Sequence, residues 1–290
     1  MDTISFPDWS KTDLSSYYDY YILPSRKPIA PIVSSRGCRL KCSFCSTPNV
    51  WRGSYRLRSI PNIMDEIDML LTEYKVRFII FQDDMLAMEV GRIEELSRSI
   101  IEKNYSDFKW MCILHPLSLG NDSARLMWLM KKAGCVLISF GLQSTNPEIL
   151  KNIRRSPLEP QALENNIKNA SKVGILTAVD FIFGLPGETS ETIRESQRYA
   201  LRTRPDFVNF HTFSFVPGAE LDEKYKGCSY SSLNGFTKPE LENICRRANL
   251  RFYFNPRVLF NTLKLIYKYA PEHLYSFLKD FILNIFNFFK

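Results

Sequence analysis

Three cysteines crowd into the stretch from Arg36 to Cys45, where Cys38, Cys42 and Cys45 have the spacing C-x3-C-x2-C. A structural zinc site takes four protein ligands, normally from two separated knuckles. Here only three thiols are local, and no histidine lies near them in sequence. A loop that offers three thiolates suits a cubane [4Fe-4S] cluster with one iron left open to an outside ligand, because such clusters are held by cysteine. The other four cysteines stand singly. Cys112 and Cys135 fall in or beside apolar runs, where a cysteine is ordinarily a small buried hydrophobe. Cys228 and Cys245 have no pair spacing, which speaks against ligands of an auxiliary cluster. Seven cysteines, an odd number, argue against a secreted disulfide scaffold, and a cytoplasmic location is expected.

The charge around the triad is one-sided. Arg36, Arg39, Lys41, Arg52, Arg56 and Arg58 fall in one stretch with no Asp or Glu, in a chain of net charge +7. Such a stretch around metal-binding residues indicates an anionic cargo or partner. A second basic run holds Arg246, Arg247, Arg251 and Arg257. With 45% hydrophobic and 24% charged residues the 290-residue chain is globular, so disordered and low-complexity classes are excluded. No apolar run reaches eighteen residues and the first nineteen are polar and acidic, so neither a membrane span nor a signal peptide is visible.

The elements that must position the triad alternate. Ala30 to Ser35 reads as a strand, followed by the cysteine loop and a helix over about Ser59–Tyr74 with Ile63, Ile67, Leu70 and Leu71 on one face. Strands are expected at Val76–Gln82, Trp110–Leu114, Val136–Leu142, Leu176–Phe183 and Phe207–Phe215. Helices are expected over about Gly91–Asn104 and Ser123–Ala133, in the segment reaching Val173, and from near Thr189. Strands apolar along their whole length, each followed by a helix, indicate an α/β fold: a partial (β/α)6 TIM-type barrel of parallel strands with a helical C-terminal extension. The expected division is a leader over 1–29, a core barrel over 30–236 and the extension over 237–290. Working residues gather at the C-terminal ends of strands in such folds, where the cysteine loop, Asp83-Asp84, His115, Gln143-Ser144 and the glycines after Phe183 fall. The end of the tail, with Leu274, Phe277, Leu278, Phe281, Ile282, Ile285, Phe286 and Phe289, is apolar. It is expected to pack on the barrel, the alternative being contact with a membrane surface or a partner.

On these residues the chain is similar to radical S-adenosylmethionine (SAM) enzymes. Their signature is this cysteine spacing with an aromatic before the last cysteine, here Phe44. The resemblance implies that Cys38, Cys42 and Cys45 hold a [4Fe-4S] cluster whose fourth iron is chelated by the amino and carboxylate groups of SAM. It implies reductive cleavage of SAM to a 5′-deoxyadenosyl radical that abstracts hydrogen from an organic substrate. Asp180 to Glu188 resembles the fifth-strand adenine-contacting motif, with Ile182 and Gly184 in place and Asp180 where a glycine is usual. Gln143 and Ser144 stand where many relatives have Glu-Ser. Pro217 belongs to a segment like the sixth-strand turn, and Asp83 and Asp84 stand where relatives bind the methionyl amine.

Within the family the resemblance is to the branch with an N-terminal cobalamin-binding domain (class B methyltransferases and BchE-like enzymes). Only 37 residues precede Cys38 and no Asp-x-His-x-x-Gly signature is present, so a recognisable cobalamin domain is missing. Cobalamin is then unused, borrowed from a partner, or carried upstream, and methylation is a candidate outcome beside cyclisation and oxidoreduction. The basic ring suits docking of an acidic donor of flavodoxin or ferredoxin type to Arg39, Lys41, Arg52, Arg56 and Arg58. His115 and His211 are weaker candidates for proton relay, a lone strand histidine being more often packed. Two other readings stand beside this one. The first is RNA modification, for which the tail offers no RNA-binding barrel. The second is a non-catalytic relative that binds metal or SAM.

Overall fold

The computed structural model describes residues 1–16, 28–155 and 160–269, together with residues 275 and 279. Six short apolar runs become parallel strands: β1 (Ile29–Ile32), β4 (Phe78–Phe81), β5 (Lys109–Leu114), β6 (Cys135–Gln143), β7 (Leu176–Phe183) and β8 (Phe207–Thr212). They pair in the order β1-β4-β5-β6-β7-β8. Between β1 and β4 an antiparallel ribbon, β2 (Ser35–Gly37) with β3 (Tyr55–Leu57), brackets the cysteine loop and its short helix α1 (Thr47–Val50).

The connections are helical. They are α2 (Ile60–Thr72), α3 (Val90–Lys103), α4 (Ser123–Lys132), α5 (Pro147–Asn152), α6 (Pro160–Val173) and α7 (Ser190–Thr203). After β8 come α8 (Glu220–Lys224), α9 (Ser231–Asn234), α10 (Lys238–Tyr253) and α11 (Pro256–Tyr269). Local chemistry sets their starts. Ser59 caps α2 by accepting from the Asn62 amide, and Thr189 and Thr237 open α7 and α10 with capping boxes. Gly134 ends α4 at φ +90°, close against the Phe108 carbonyl, where a side chain would not fit.

Strand alternation divides the core in two. Ile79, Phe81, Trp110, Ile138, Phe140, Phe181 and Phe210 face the helices and meet Ile67, Leu96, Met130, Ile167 and Phe252. Trp110 is fully buried at this interface, its Nε1 donating 2.7 Å to the Ala133 carbonyl and its ring edge-on to Phe81. On the opposite, concave face Ile29, Phe78, Met111, Leu137, Ala178 and Phe207, one from each strand, form an apolar floor near the strand N-termini. Leu265 of α11 packs against that floor. Alternation then carries Ile113, Gly141, Asp180, Ile182, Asn209 and His211 onto the concave face toward the strand C-termini.

The expected α/β partial barrel with a helical extension is therefore the observed fold. Strand Leu176–Phe183 has the expected ends, whereas the last strand stops at Thr212, short of Phe215. Within the first sixteen residues Trp9 and Leu14 are buried in the main core, and Asp2 accepts from the Ser59 amide at 2.9 Å. Tyr17, Tyr18, Tyr20 and Tyr21, and the apolar tail positions from Leu274 to Phe289, lie outside the described residues. Among the described residues no helix is long and apolar enough to cross a membrane.

Candidate functional site

The cysteine loop leaves β2 at Gly37, whose φ of +95° and close approach to the Ser54 carbonyl leave no room for a Cβ. Backbone hydrogen bonds from distant parts of the chain then clamp it. The Ser43 amide donates to the Ile153 carbonyl and the Leu221 amide donates to the Ser43 carbonyl, each at 2.9 Å. Asn49 of α1 donates its side-chain amide to the Gly218 carbonyl, tying the loop to the turn that contains Pro217. The loop is thus fixed before any side chain of the triad is considered.

Cys38, Cys42 and Cys45 are free thiols lining one cavity of about 170 Å³ at the C-terminal ends of β4, β5 and β6. Phe44, Asp84, Ile113, Gly141 and Gln143 line it as well. Burial pushes the Cys38 and Cys42 thiols up, and for Cys42 the charge of Arg155 acts against that. Among the described residues no three His, Cys, Asp or Glu side chains converge on a point that could hold one metal ion. Three thiols on one loop, lining one cavity, are the donor set that a [4Fe-4S] cluster with one open iron takes. A larger groove of about 450 Å³ lies between α7 and α10, but it contains no thiol.

Arg155, which sequence reasoning missed, completes the cavity wall. The residue is 8% exposed, with Nη1 3.7 Å from Cys42 Sγ and Nη2 donating to the Gly141 carbonyl. Nε has no hydrogen-bond partner among the described residues. A buried cation is costly unless negative charge stands beside it, so the donor set suits an anionic group held by the thiols. Position 155 gave no spacing signal; only the fold after β6 brings it to the triad.

The two aspartates separate. Asp84 meets the cavity and also fastens its wall: Oδ2 accepts from the Gly37 amide at 3.0 Å and from Trp51 Nε1 at 2.9 Å, and Oδ1 from the Thr47 hydroxyl. Asp83 is buried outside the cavity lining, its Oδ1 receiving the Ser34 hydroxyl and both the amide and hydroxyl of Ser35. Gln143 sits at a register irregularity of β6 with φ +72°, the left-handed region, which turns its side chain toward Gly141. Ser144 is buried and accepts from the Asn146 amide at the entrance to α5.

Gly184 is not among the residues that line the thiol cavity. At φ +94° it packs under Leu241 of α10, and its carbonyl accepts from Asn234. Ile182 alternates with the buried Phe181 and Phe183, so it stands on the concave face beside His211. One sequence expectation is corrected: Arg58 is not on a docking surface. It is buried, paired with Glu66, and hydrogen-bonded to Asn62 and to the Val33 carbonyl, because it holds the start of α2 against β1. Arg39, Lys41, Arg52 and Arg56 are exposed. Arg39 pairs with Glu89, while Arg36 and Arg56, opposite each other in the ribbon, stack on Trp51.

His115 is buried, with Nδ1 accepting from the Leu117 amide. Burial and then the Arg155 charge lower its pKa to about 3, so it is neutral and a weak base. On the concave face Asp180 collects Ser139, Asn209 and His211 at 2.9, 2.8 and 3.3 Å, a polar cluster that the glycine usual at position 180 would not allow. Cys245 is buried in α10 near Thr212, whereas Cys228 is exposed.

Glu188 closes the Gly184 turn by accepting from the Gly184 and Leu185 amides. Burial nevertheless raises its carboxyl from 4.5 to about 8. The folded chain therefore holds this proton more tightly than the unfolded chain does. Its contribution favours folding at low pH and is lost as pH rises from about 4.5 to about 8, by about 1.4 kcal/mol per pH unit. Glu188→Gln keeps an acceptor for both amides and cannot ionise. Urea unfolding should show a flatter stability profile for the variant between about pH 6 and 8, and parallel profiles would refute this assignment.

Comparisons with known proteins agree with this geometry. The chain is 28% identical over 261 residues to an uncharacterized methyltransferase of Pyrococcus horikoshii, covering 83% of this chain and 56% of that one. It is 27% identical over 296 residues to the anaerobic magnesium-protoporphyrin IX monomethyl ester cyclase of Rubrivivax gelatinosus, covering 97% and 52%. The chain thus spans about half the length of these relatives. The fold matches that of the radical SAM methyltransferase TsrM from Kitasatospora setae, solved with cobalamin and a [4Fe-4S] cluster bound. The TM-score is 0.63 and the identity 20%, over 68% of this chain and 36% of that one. Residues 32–200, more than half of the sequence, match the family model of the radical SAM superfamily, whose cofactors are a [4Fe-4S] cluster and SAM, and the chain belongs to that superfamily.

Proposed function

We propose that this chain cleaves SAM reductively and directs the resulting radical at an organic substrate, with Cys38, Cys42 and Cys45 as the cluster ligands. The observation that carries the reading is three free thiols on one clamped loop, around one cavity, with a buried guanidinium beside them. A [4Fe-4S] cluster held there would pass one electron, taken from an external donor, to the sulfonium of bound SAM, whose C–S bond would break to methionine and a 5′-deoxyadenosyl radical able to take hydrogen from the substrate. The chain's own residues bind and orient. The Cys38 and Cys42 thiols, raised by burial, would have to lose their protons to hold iron, and the Arg155 charge would favour that loss at Cys42. Asp84 and Gln143 offer acceptors toward the methionyl amine, and Ile182 offers an apolar face to the adenine. Gly184, Ser144, Asp83 and Pro217 shape the turns that carry those groups.

The core over 30–236 holds this site, with 1–29 as leader and 237–290 as extension. The substrate is a small molecule, natural-product or lipid intermediate that enters the concave face above its apolar floor, where Asp180, Asn209 and His211 offer polar contacts. Methyl transfer is the candidate outcome, with cobalamin supplied by a separate domain or chain. Anaerobic reconstitution tests the reading: a brown protein with about four irons per chain that forms 5′-deoxyadenosine with dithionite and SAM supports it. A colourless zinc-loaded protein that forms none defeats it.

Arg39, Lys41, Arg52 and Arg56 form the docking face for an acidic flavodoxin- or ferredoxin-type donor. The variant Lys41→Glu/Arg52→Glu should slow donor-supported SAM cleavage about tenfold or more at low ionic strength and leave the dithionite-supported rate unchanged. Equal slowing with both reductants would remove the docking assignment.

A further inference from the structure

Helix α11 has two unlike faces. Val258, Thr262 and Ile266 are buried, and Leu265 packs on the floor of the barrel. The outer face repeats at helical spacing, with Arg257, Phe260, Lys264 and Tyr267 exposed in turn; Phe260 is 69% and Tyr267 73% exposed. Across its fourteen residues the helix has no Asp or Glu. The solvated helices of this chain look different. On α7, Glu191 pairs with Arg194 and Arg198, and on α3, Glu94 pairs with Arg98.

Large aromatics interleaved with cations, without acids, form a surface suited to the headgroup level of a membrane. There aromatic rings settle at the polar–apolar boundary and cations meet anionic lipid. We propose that the outer face of α11 docks on an anionic lipid surface. The helix lies in the plane of the interface, since its inner face, with Val258, Thr262 and Ile266, is already buried in the protein. Because α11 covers the strand N-terminal end of the barrel, docking leaves the thiol cavity at the opposite end facing away from the lipid. This holds whether or not the chain turns over SAM.

The test is co-sedimentation of the full chain with vesicles of phosphatidylcholine alone and of phosphatidylcholine with phosphatidylglycerol. Binding is expected to the anionic vesicles only and to weaken with salt. Arg257→Glu/Lys264→Glu should lower the partition coefficient by on the order of tenfold or more, and Phe260→Ser/Tyr267→Ser should lower it comparably. All variants should unfold at the parent's temperature. Absence of parent binding overturns the proposal, as does equal binding to both vesicles. Variants that bind like the parent would place the attachment elsewhere in the tail and overturn it too. So would a marked fall in unfolding temperature for Phe260→Ser/Tyr267→Ser, which would mean that other residues of the chain cover this face. Self-association without lipid, abolished by the same variant, would assign the face to a second copy instead.

Discussion

A Cys42→Ala chain should fold, stay colourless after anaerobic reconstitution, and form 5′-deoxyadenosine on the order of a thousandfold more slowly than the parent. Its loop is held by the backbone, through Ser43 with Ile153 and Leu221, so losing one buried thiol removes a ligand without releasing the clamp. The packing cost of removing the sulfur is about 1 kcal/mol. The matched control is Cys245→Ala. That thiol is also buried, and burial also raises it, to about 11, but it lies in α10 outside the cavity. Iron content, visible absorbance and product formation should be at parental levels in this control. A Cys42→Ala chain that retains the chromophore, or a Cys245→Ala chain that loses it, would overturn the ligand assignment.

The second large effect is expected at Arg155. Its guanidinium, 3.7 Å from Cys42 Sγ, would stabilise the more negative, reduced state of a cluster held by the thiols. At an effective dielectric constant of ~20 and ~5 Å, a unit charge is worth ~3 kcal/mol, so Arg155→Met should lower the midpoint potential by on the order of 100 mV. Reductive SAM cleavage should slow with it at a fixed reductant potential. An EPR-monitored redox titration reads the potential directly. Arg155→Lys keeps the charge but loses the second arm that reaches the Gly141 carbonyl, so it should recover most of the potential and less of the stability. An unchanged potential in both variants would leave Arg155 a purely structural role.

These two residues mark how far the sequence could be read. Cys42 was legible because the thiols are local: one short loop carries all three, and their spacing limits the chemistry. The strands were legible for a related reason, since apolar runs such as Leu176–Phe183 are bounded by turn residues and alternate with amphipathic helices. Arg155 was not legible, because its meaning depends on the bend after β6 that carries it back to the cavity. The β2–β3 ribbon escaped as well, since three-residue strands have too few alternations to show a period. Arg58 was misplaced because charge in sequence carries no depth, and only the Glu66 partner one helix face away shows that it is buried. Asp83 and Asp84, adjacent in sequence and equal in type, part because successive residues leaving a strand point opposite ways.

The clamp on the cysteine loop also fixes an order of events during synthesis. The partners of Ser43 are Ile153 and Leu221, and that of Asn49 is Gly218, all far downstream. At ~5–20 residues per second, Leu221 leaves the ribosome roughly 10–40 s after Cys45. During that interval the loop can gain its ties to Asp84 and then to Ile153, but not the last two, to Gly218 and Leu221. The cysteine loop is thus fully clamped only once the last strand and the turn after it are made, and until then its thiols are more open to oxidation than in the finished fold.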